Sequence, residues 1–203
     1  MTPDYPPAAY REHELAKAHA LIRARPLATF IVAEGGQPFA TPLPMVLDET
    51  STYLLSHLDA NNPAAKLIAD GRRALAIFHG PSAYISPADY VTRQLPTYNY
   101  LQAHVHGTLE RIDDAARARG DLYALSRAME PEGRFVLADD DARVAALLPH
   151  IVAFRLHVER VDGRFKLSQD KRAPDREAAR AKLERVSGCP IERVVGSSTE
   201  GDR

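Results

Sequence analysis

At 203 residues, 45% apolar and 26% charged, the chain has the length for one sizeable hydrophobic core or at most two small ones. Its formal net charge of −1 excludes the broad basic footprint from which DNA-binding proteins draw most of their affinity. No apolar run approaches a membrane span, the first ten residues lack a signal-peptide pattern, and the single Cys189 cannot form an internal disulfide, so a cytoplasmic protein without membrane association is expected.

From about Ala8 to Arg25, Leu15, Ala18 and Ile22 recur at helical spacing with Leu21 beside them, which predicts an amphipathic helix stopped by Pro26. Leu27 to Glu34 is rich in apolar and β-branched residues and reads as a strand turned at Gly35-Gly36. Gln37 to Leu47 then runs extended, with Pro42 and Pro44 suited only to an edge or bulge. Thr52 to His57 is a third strand of the same antiparallel meander.

Asn62 is expected to cap a short helix with Pro63 at its first position and Gly71 after its end. Arg73 to His79 is a fourth strand, turned at Gly80-Pro81 and continued by Ala83 to Ser86. Tyr98 to Ile112 is a long fifth strand with a bulge expected at Gly107. A helix follows from about Asp114 to Met129, and a shorter one from Ala142 ends at Pro149. Ile151 to Arg160 alternates as a sixth strand, and Asp162-Gly163 turns it toward Arg164–Leu167. A charged helix spans Asp175 to Val186. We expect a single domain over 1–187 and a mobile tail over 188–203. Six antiparallel strands with peripheral helices predict a mainly β fold, a small closed or partly closed barrel.

Several common chemistries are absent from the sequence. It holds no G-x-G-x-x-G, no G-x-x-x-x-G-K-[ST], no G-x-S-x-G and no H-E-x-x-H. His104 and His106 share one face of a strand, where they either pack within the sheet or bind a metal with a third ligand from elsewhere. Asp139 to Asp141 precede a helix and suit N-terminal capping better than a cation, and no metal site is assigned.

Three stretches carry more chemistry. Thr41, Pro42 and Leu43 lie on an irregular edge that exposes backbone groups. Ser56 and His57, followed by Asn61, Asn62 and Lys66 around a helix start, form a polar cluster suited to a phosphate. Tyr98 and Asn99 open a long strand, and Lys166, Ser168 and Gln169 alternate with apolar neighbours near the end of another.

Taken in order, HALIRARPLATF at 19–30, ATPLPMVLD at 40–48, LDANNP at 58–63, FHGPSAYISPADY at 78–90, PTYNYLQAHVHG at 96–107 and GRFKLSQDKRAPDR at 163–176 resemble the PaiB-type family of FMN-binding transcriptional regulators. The resemblance implies a six-stranded antiparallel split β-barrel related to pyridoxamine 5′-phosphate oxidases, and a homodimer whose interface holds FMN. Under it the 41–44 edge serves the isoalloxazine edge, the 56–66 cluster the phosphate and the 96–100 segment the ring platform. Lys166, Ser168 and Gln169 then reach a partner subunit's site. The chain departs from the family pattern at Tyr98, where a Trp is usual, at Asp170-Lys171, where Asn-Arg is usual, and in the short segment between Tyr90 and Pro96.

The function implied is that of an FMN-binding transcriptional regulator, acting on DNA directly or through a partner. Between Arg155 and Arg193, eleven Lys/Arg stand against seven Asp/Glu, a mild tilt that leaves room for a local nucleic-acid contact. The alternatives are a flavin-dependent oxidoreductase using NADH or NADPH, in which the flavin carries the redox chemistry, and a ligand-free interaction module.

Overall fold

The computed structural model describes residues 6–138 and 140–196. Its elements are β1 (Arg11–Glu12), α1 (Leu15–Ala24), β2 (Leu27–Glu34), β3 (Gln37–Pro44), β4 (Val46–Leu47), β5 (Tyr53–Asp59), β6 (Arg73–Ile85), β7 (Thr97–Ile112), α2 (Ala115–Met129), α3 (Ala142–Leu147), β8 (Ile151–Lys166), α4 (Ala173–Ser187) and α5 (Glu192–Val195). Two compact units emerge. One draws on the described parts of Met1–Arg25, Phe78–His104 and Val161–Arg203, the other on Pro26–Ile77 and Val105–Arg160. Strands β6, β7 and β8 contribute residues to both.

The strands form one eight-stranded sheet in the order β3-β2-β6-β7-β8-β5-β4, with β1 added on β8. This corrects the expected six-stranded split barrel: the sheet is not closed, and β3 and β4 are its two unjoined ends. The reason lies in β3. Its register with β2 runs from Leu27↔Pro44 to Glu34↔Gln37. Met45 N–H donates to Pro26 O at 2.8 Å, in phase with that ladder, so odd-numbered residues of β3 bond β2 and even-numbered ones face away. Pro38, Pro42 and Pro44 occupy three of the four outward positions. The outer edge therefore offers the N–H of Ala40 alone, and no further strand can ladder onto it.

Other departures have equally local causes. The described N-terminal segment is a 3-10 turn at Ala8–Tyr10 and then β1, so the first helix starts only at Leu15. The predicted helix after Asn62 is a five-residue 3-10 turn, Pro63–Leu67. Strand β6 does not turn at Gly80-Pro81. Its buried positions instead move from even numbers (Ala74, Ala76, Phe78) to odd ones (Pro81, Ala83, Ile85), the phase slip that an inserted residue produces. Strand β7 holds its odd-numbered burial phase straight through Gly107, so no bulge forms there. A Cβ at Gly107 would meet His157 O at 1.9 Å, and the residue is needed for that approach.

Strand β8 likewise runs unbroken through Asp162-Gly163. Gly163 pairs with Glu12 of β1, and a Cβ there would meet the Glu12 Cβ at 2.7 Å, so the glycine admits a neighbouring strand where a turn was expected. Of the expected tail, the described part holds α5, with Ile191 and Val194 buried and α5 packed against α1; residues 197–203 lie outside the described residues, as does Asp139. Asp141 does cap α3, accepting from Arg143 N–H at 2.9 Å.

Each unit has its own core. In one, Leu21 and Ile22 of α1 are buried with Phe78, Ile85, Leu101 and Leu183. In the other, Phe30 and Phe154 pack with ring centroids 5.1 Å apart among Val32, Met45, Leu54 and Leu156. Burying each such side chain contributes about 1.5–3 kcal/mol. No helix among the described residues is long and apolar enough to cross a membrane.

Replacing Gly107 by alanine forces a methyl group onto the His157 carbonyl. We expect Gly107→Ala to cost about 3 kcal/mol or more in urea unfolding, against under about 0.5 kcal/mol for Gly120→Ala, where a Cβ meets nothing within 4 Å.

Candidate functional site

The sequence-predicted residues fall into one group in each unit. In the second unit, Asn62 is the organising side chain. Its Nδ2 donates to Thr41 Oγ1 at 3.2 Å, tying the connection after β5 to β3. Its Oδ1 accepts from Ala64 N–H at 3.0 Å and caps the 3-10 turn. That bond occupies one of the N–H groups that the sequence offers to a phosphate. Asn61 N–H bonds Asp59 Oδ1 at 2.7 Å, which fixes the approach to the turn.

Ser56 is buried, and its hydroxyl donates to Pro44 O at 2.7 Å, so it holds the end of β3 against β5. Leu43 is a core residue. Pro42, Asn61, Pro63 and Lys66 remain exposed beside the half-buried Thr41.

His57 does not join this group. It follows Ser56 on a strand and so projects to the opposite face. There it meets Ala118, Asp121, Leu122 and Leu125 of α2 and Ala153 of β8 around a small cavity that Ser56 also borders, although the Ser56 hydroxyl is spent on Pro44 O. The His57 Nδ1 is buried with no hydrogen-bond partner, and desolvation holds the His57 pKa below the ordinary imidazole value.

In the first unit, Asn99 is fully buried and bonds Ser168 Oγ through both its Nδ2, at 3.0 Å, and its Oδ1, at 3.2 Å. Tyr90 Oη joins the same hydroxyl at 3.3 Å. Ser168 adopts φ +60°, a left-handed conformation that this bonding holds in place. Lys166 Nζ donates to Thr97 Oγ1 at 2.6 Å and lies 5.6 Å over the Tyr10 ring. Gln169 is spent on its own loop: Oε1 accepts from Leu167 N–H and Nε2 donates to Phe165 O. Tyr98, 52% exposed, is the one of these residues that opens to solvent.

One participant was not legible in the sequence. Asp175, read there only as a helix start, is buried and accepts from Val91 N–H and Thr92 N–H at 2.8 Å, the Thr92 hydroxyl at 2.5 Å and Gln94 Nε2 at 3.0 Å. The Thr92 hydroxyl foremost, then these other donors, hold its carboxyl below the usual range. It thereby shapes the segment leading to Tyr98. Asp170 forms an ion pair with Lys171 at 2.9 Å, and burial together with that carboxylate raises the pKa of Tyr10.

Of the two strand histidines, His104 has an ordinary partner: its Nε2 lies 3.3 Å from Gln102 Oε1, and Gln102 Nε2 lies 3.3 Å from His79 Nδ1. Among the described residues no group of three His, Cys, Asp or Glu could hold a metal ion.

A family model described as a putative FMN-binding domain matches residues 4–160. The chain belongs to that family. It is 26% identical over 175 residues to the protease synthase and sporulation protein PAI 2 of Bacillus subtilis, covering 84% of each chain. Among solved structures, it resembles an FAD and heme binding protein from Mycobacterium smegmatis (TM-score 0.61, 20% identity, 84% of this chain and 80% of that one). It also resembles the flavocytochrome Anf3 from Azotobacter vinelandii (TM-score 0.57, 15% identity, 77% and 69%). The domain is thus a flavin-binding one of the PaiB-like kind.

The residues present fit a flavin. The outward edge of β3 offers one donor–acceptor pair, at Ala40, whose carbonyl suits the N3–H of an isoalloxazine pyrimidine edge and whose N–H suits an adjacent flavin carbonyl. Lys66, the Asn61 amide and the Thr41 hydroxyl are of the types that hold a phosphate.

The His57 geometry predicts a pH dependence. A depressed imidazole pKa means that the unfolded chain binds the proton more readily. Stability from a neutral His57 is therefore fully present above the unfolded value of about 6.5 and is lost as pH falls through the lower folded value. His57→Leu should flatten the decline in melting temperature measured from pH 7 to pH 5; an unchanged slope would show that His57 does not contribute to it.

Proposed function

We propose that this chain is an FMN-dependent oxidoreductase that accepts electrons from NADH or NADPH. The observation that carries the reading is the set formed by Thr41, Asn61 and Lys66 beside the unlaced edge of β3, in a chain whose flavin-binding family match spans 4–160. Bound FMN supplies the hydride acceptance. The protein's part is to bind and orient it: Asn62 fixes Thr41 relative to the turn, Lys66 and Asn61 neutralise and bond the phosphate, and the β3 edge aligns the ring. No dedicated acid or base is required for hydride transfer to a flavin, which agrees with the absence of a nucleophile–base pair from this set. Flavin and heme proteins among the structural neighbours support the redox reading.

The protein works, on this reading, as a cytoplasmic homodimer with the flavin at the interface. Tyr84, Val91, Leu95 and Tyr98 are more than half exposed and leave the first unit with apolar surface that a second copy would bury. In the dimer, Tyr98 and Lys166 are the residues of that unit best placed in chemistry to meet a ring and an anion. A regulatory role is the second reading, favoured by the likeness to a sporulation protein. The net charge of −1 and the lack of a helix-turn-helix signature direct that role through a partner rather than DNA.

The purified protein, loaded with FMN and desalted, is expected to retain about one flavin per chain and to oxidise NADH or NADPH, while failing to shift DNA at physiological salt. Asn62→Ala and Lys66→Ala should each weaken FMN binding at least about tenfold, a loss of about 1.4 kcal/mol. Loss of retained flavin in the unmodified protein would overturn the cofactor site. Retained flavin with DNA binding and no nicotinamide oxidation would favour the regulator.

A further inference from the structure

The β4–β5 hairpin and α2, all within one unit, border a cavity of about 560 Å³ that none of the flavin-directed residues lines. Its size is that of a small-molecule site, for which about 300–1,000 Å³ is usual. The walls are apolar: Val46, Leu47, Leu55, Ala124 and Ala128. The charges deeper in are already matched. Asp121 accepts two bonds from Arg155, at 2.9 and 2.7 Å, and the Arg155 guanidinium lies 4.5 Å over the ring of Tyr53. Asp48, on the rim, is spent on its own turn, accepting from the N–H groups of Thr50, Thr52 and Tyr53 at 2.9, 2.7 and 2.9 Å. Those bonds also hold the rim in one shape.

Two charges at this cavity are left over. Glu49 and Arg127 both line it, both are exposed, and neither side chain has a hydrogen bond or ion pair among the described residues. They are not paired with each other. An apolar chamber with one unmatched anion and one unmatched cation at its rim selects by charge as well as by shape. A plain carboxylate would satisfy Arg127 but be repelled by Glu49. A plain amine would do the reverse, and a neutral apolar molecule would leave both unmatched.

We propose that this cavity binds a zwitterion with a large apolar side chain, the chemical class of the free aliphatic and aromatic α-amino acids. Arg127 takes the carboxylate, Glu49 takes the ammonium, and the side chain enters between Leu55 and the alanines of α2. This site is independent of the flavin and stands whether or not FMN binds.

The test is calorimetric titration of the full-length protein with L-phenylalanine and L-leucine, against 3-phenylpropionate and 2-phenylethylamine as single-charge controls. L-phenylalanine is expected to bind in roughly the micromolar-to-millimolar range that a ligand of its size allows. Each control should bind at least about tenfold more weakly, through loss of one charge contact. Arg127→Gln and Glu49→Gln should each weaken L-phenylalanine at least about tenfold with the melting temperature unchanged. Ala124→Trp, which fills the chamber, should abolish binding. Failure of both amino acids to bind at millimolar concentration overturns the proposal. So does a control binding as tightly as L-phenylalanine, or binding that survives both charge substitutions.

Discussion

Three prolines on the outward positions of β3 decide how the sheet ends, and the candidate site follows from that ending. Pro38, Pro42 and Pro44 share the edge phase set by the ladder with β2, so the edge keeps its carbonyls but loses all N–H donors except that of Ala40. A strand presenting acceptors almost alone cannot pair with another strand, which keeps the sheet open and blocks edge-to-edge association. At Ala40 the same edge keeps one N–H beside one carbonyl, enough to meet a ligand's adjacent acceptor and donor. Ser56 and Asn62 then anchor it, one through Pro44 O and the other through Thr41 Oγ1. A buried hydroxyl or amide left without those partners would cost about 1–3 kcal/mol, so the anchors are held by the same bonds they make.

In both units the polar residues divide into those that build and those left to act. Asn62, Ser56, Asn99, Ser168, Gln169 and Asp175 have their polar atoms matched inside the protein. Asn61, Lys66 and Tyr98 are exposed. Buried polar groups of the first kind are there because leaving them unmatched is costly, and they fix loop shape rather than touch ligand. The second kind costs nothing to leave in water. Binding chemistry is therefore sought among the exposed residues that the buried ones position.

That division is what the sequence could not display. Strand β2 is legible to the residue, because Leu27 to Glu34 is bounded by a proline and a glycine pair; α2 is legible from its Asp114 cap. The breaks expected at Gly80-Pro81 and Asp162-Gly163 do not exist, since a glycine that permits a turn also permits a close neighbour, and local sequence cannot say which. Sheet closure is hidden for a related reason: Pro42 and Pro44 suit an edge or a bulge, and only the register with β2 shows that they and Pro38 share one side of an edge. The Asn62 cap was visible from Asn-Pro, whereas its bond to Thr41 spans 21 residues and leaves no local trace. Asp175 was hidden in the same way, its partners lying more than 80 residues away.

Strand β5 ties the two ligand-directed regions of its unit together. Its period of two sends Ser56 to the β3 side, while Tyr53, Leu55 and His57 face α2. Pairing with β8 from Tyr53↔His157 to Asp59↔Ile151 fixes which residues go where. A slip of one residue would turn Ser56 into the chamber under α2 and bury His57 against β3, so neither face could survive it. The register is held by more than its ladder: Arg155, opposite Leu55, is locked by Asp121 of α2 and lies over the ring of Tyr53. Breaking that partly buried pair would leave the Asp121 carboxylate without its cation. An ion pair that binds no ligand is thus what keeps the alternation of β5 in phase for both of its faces.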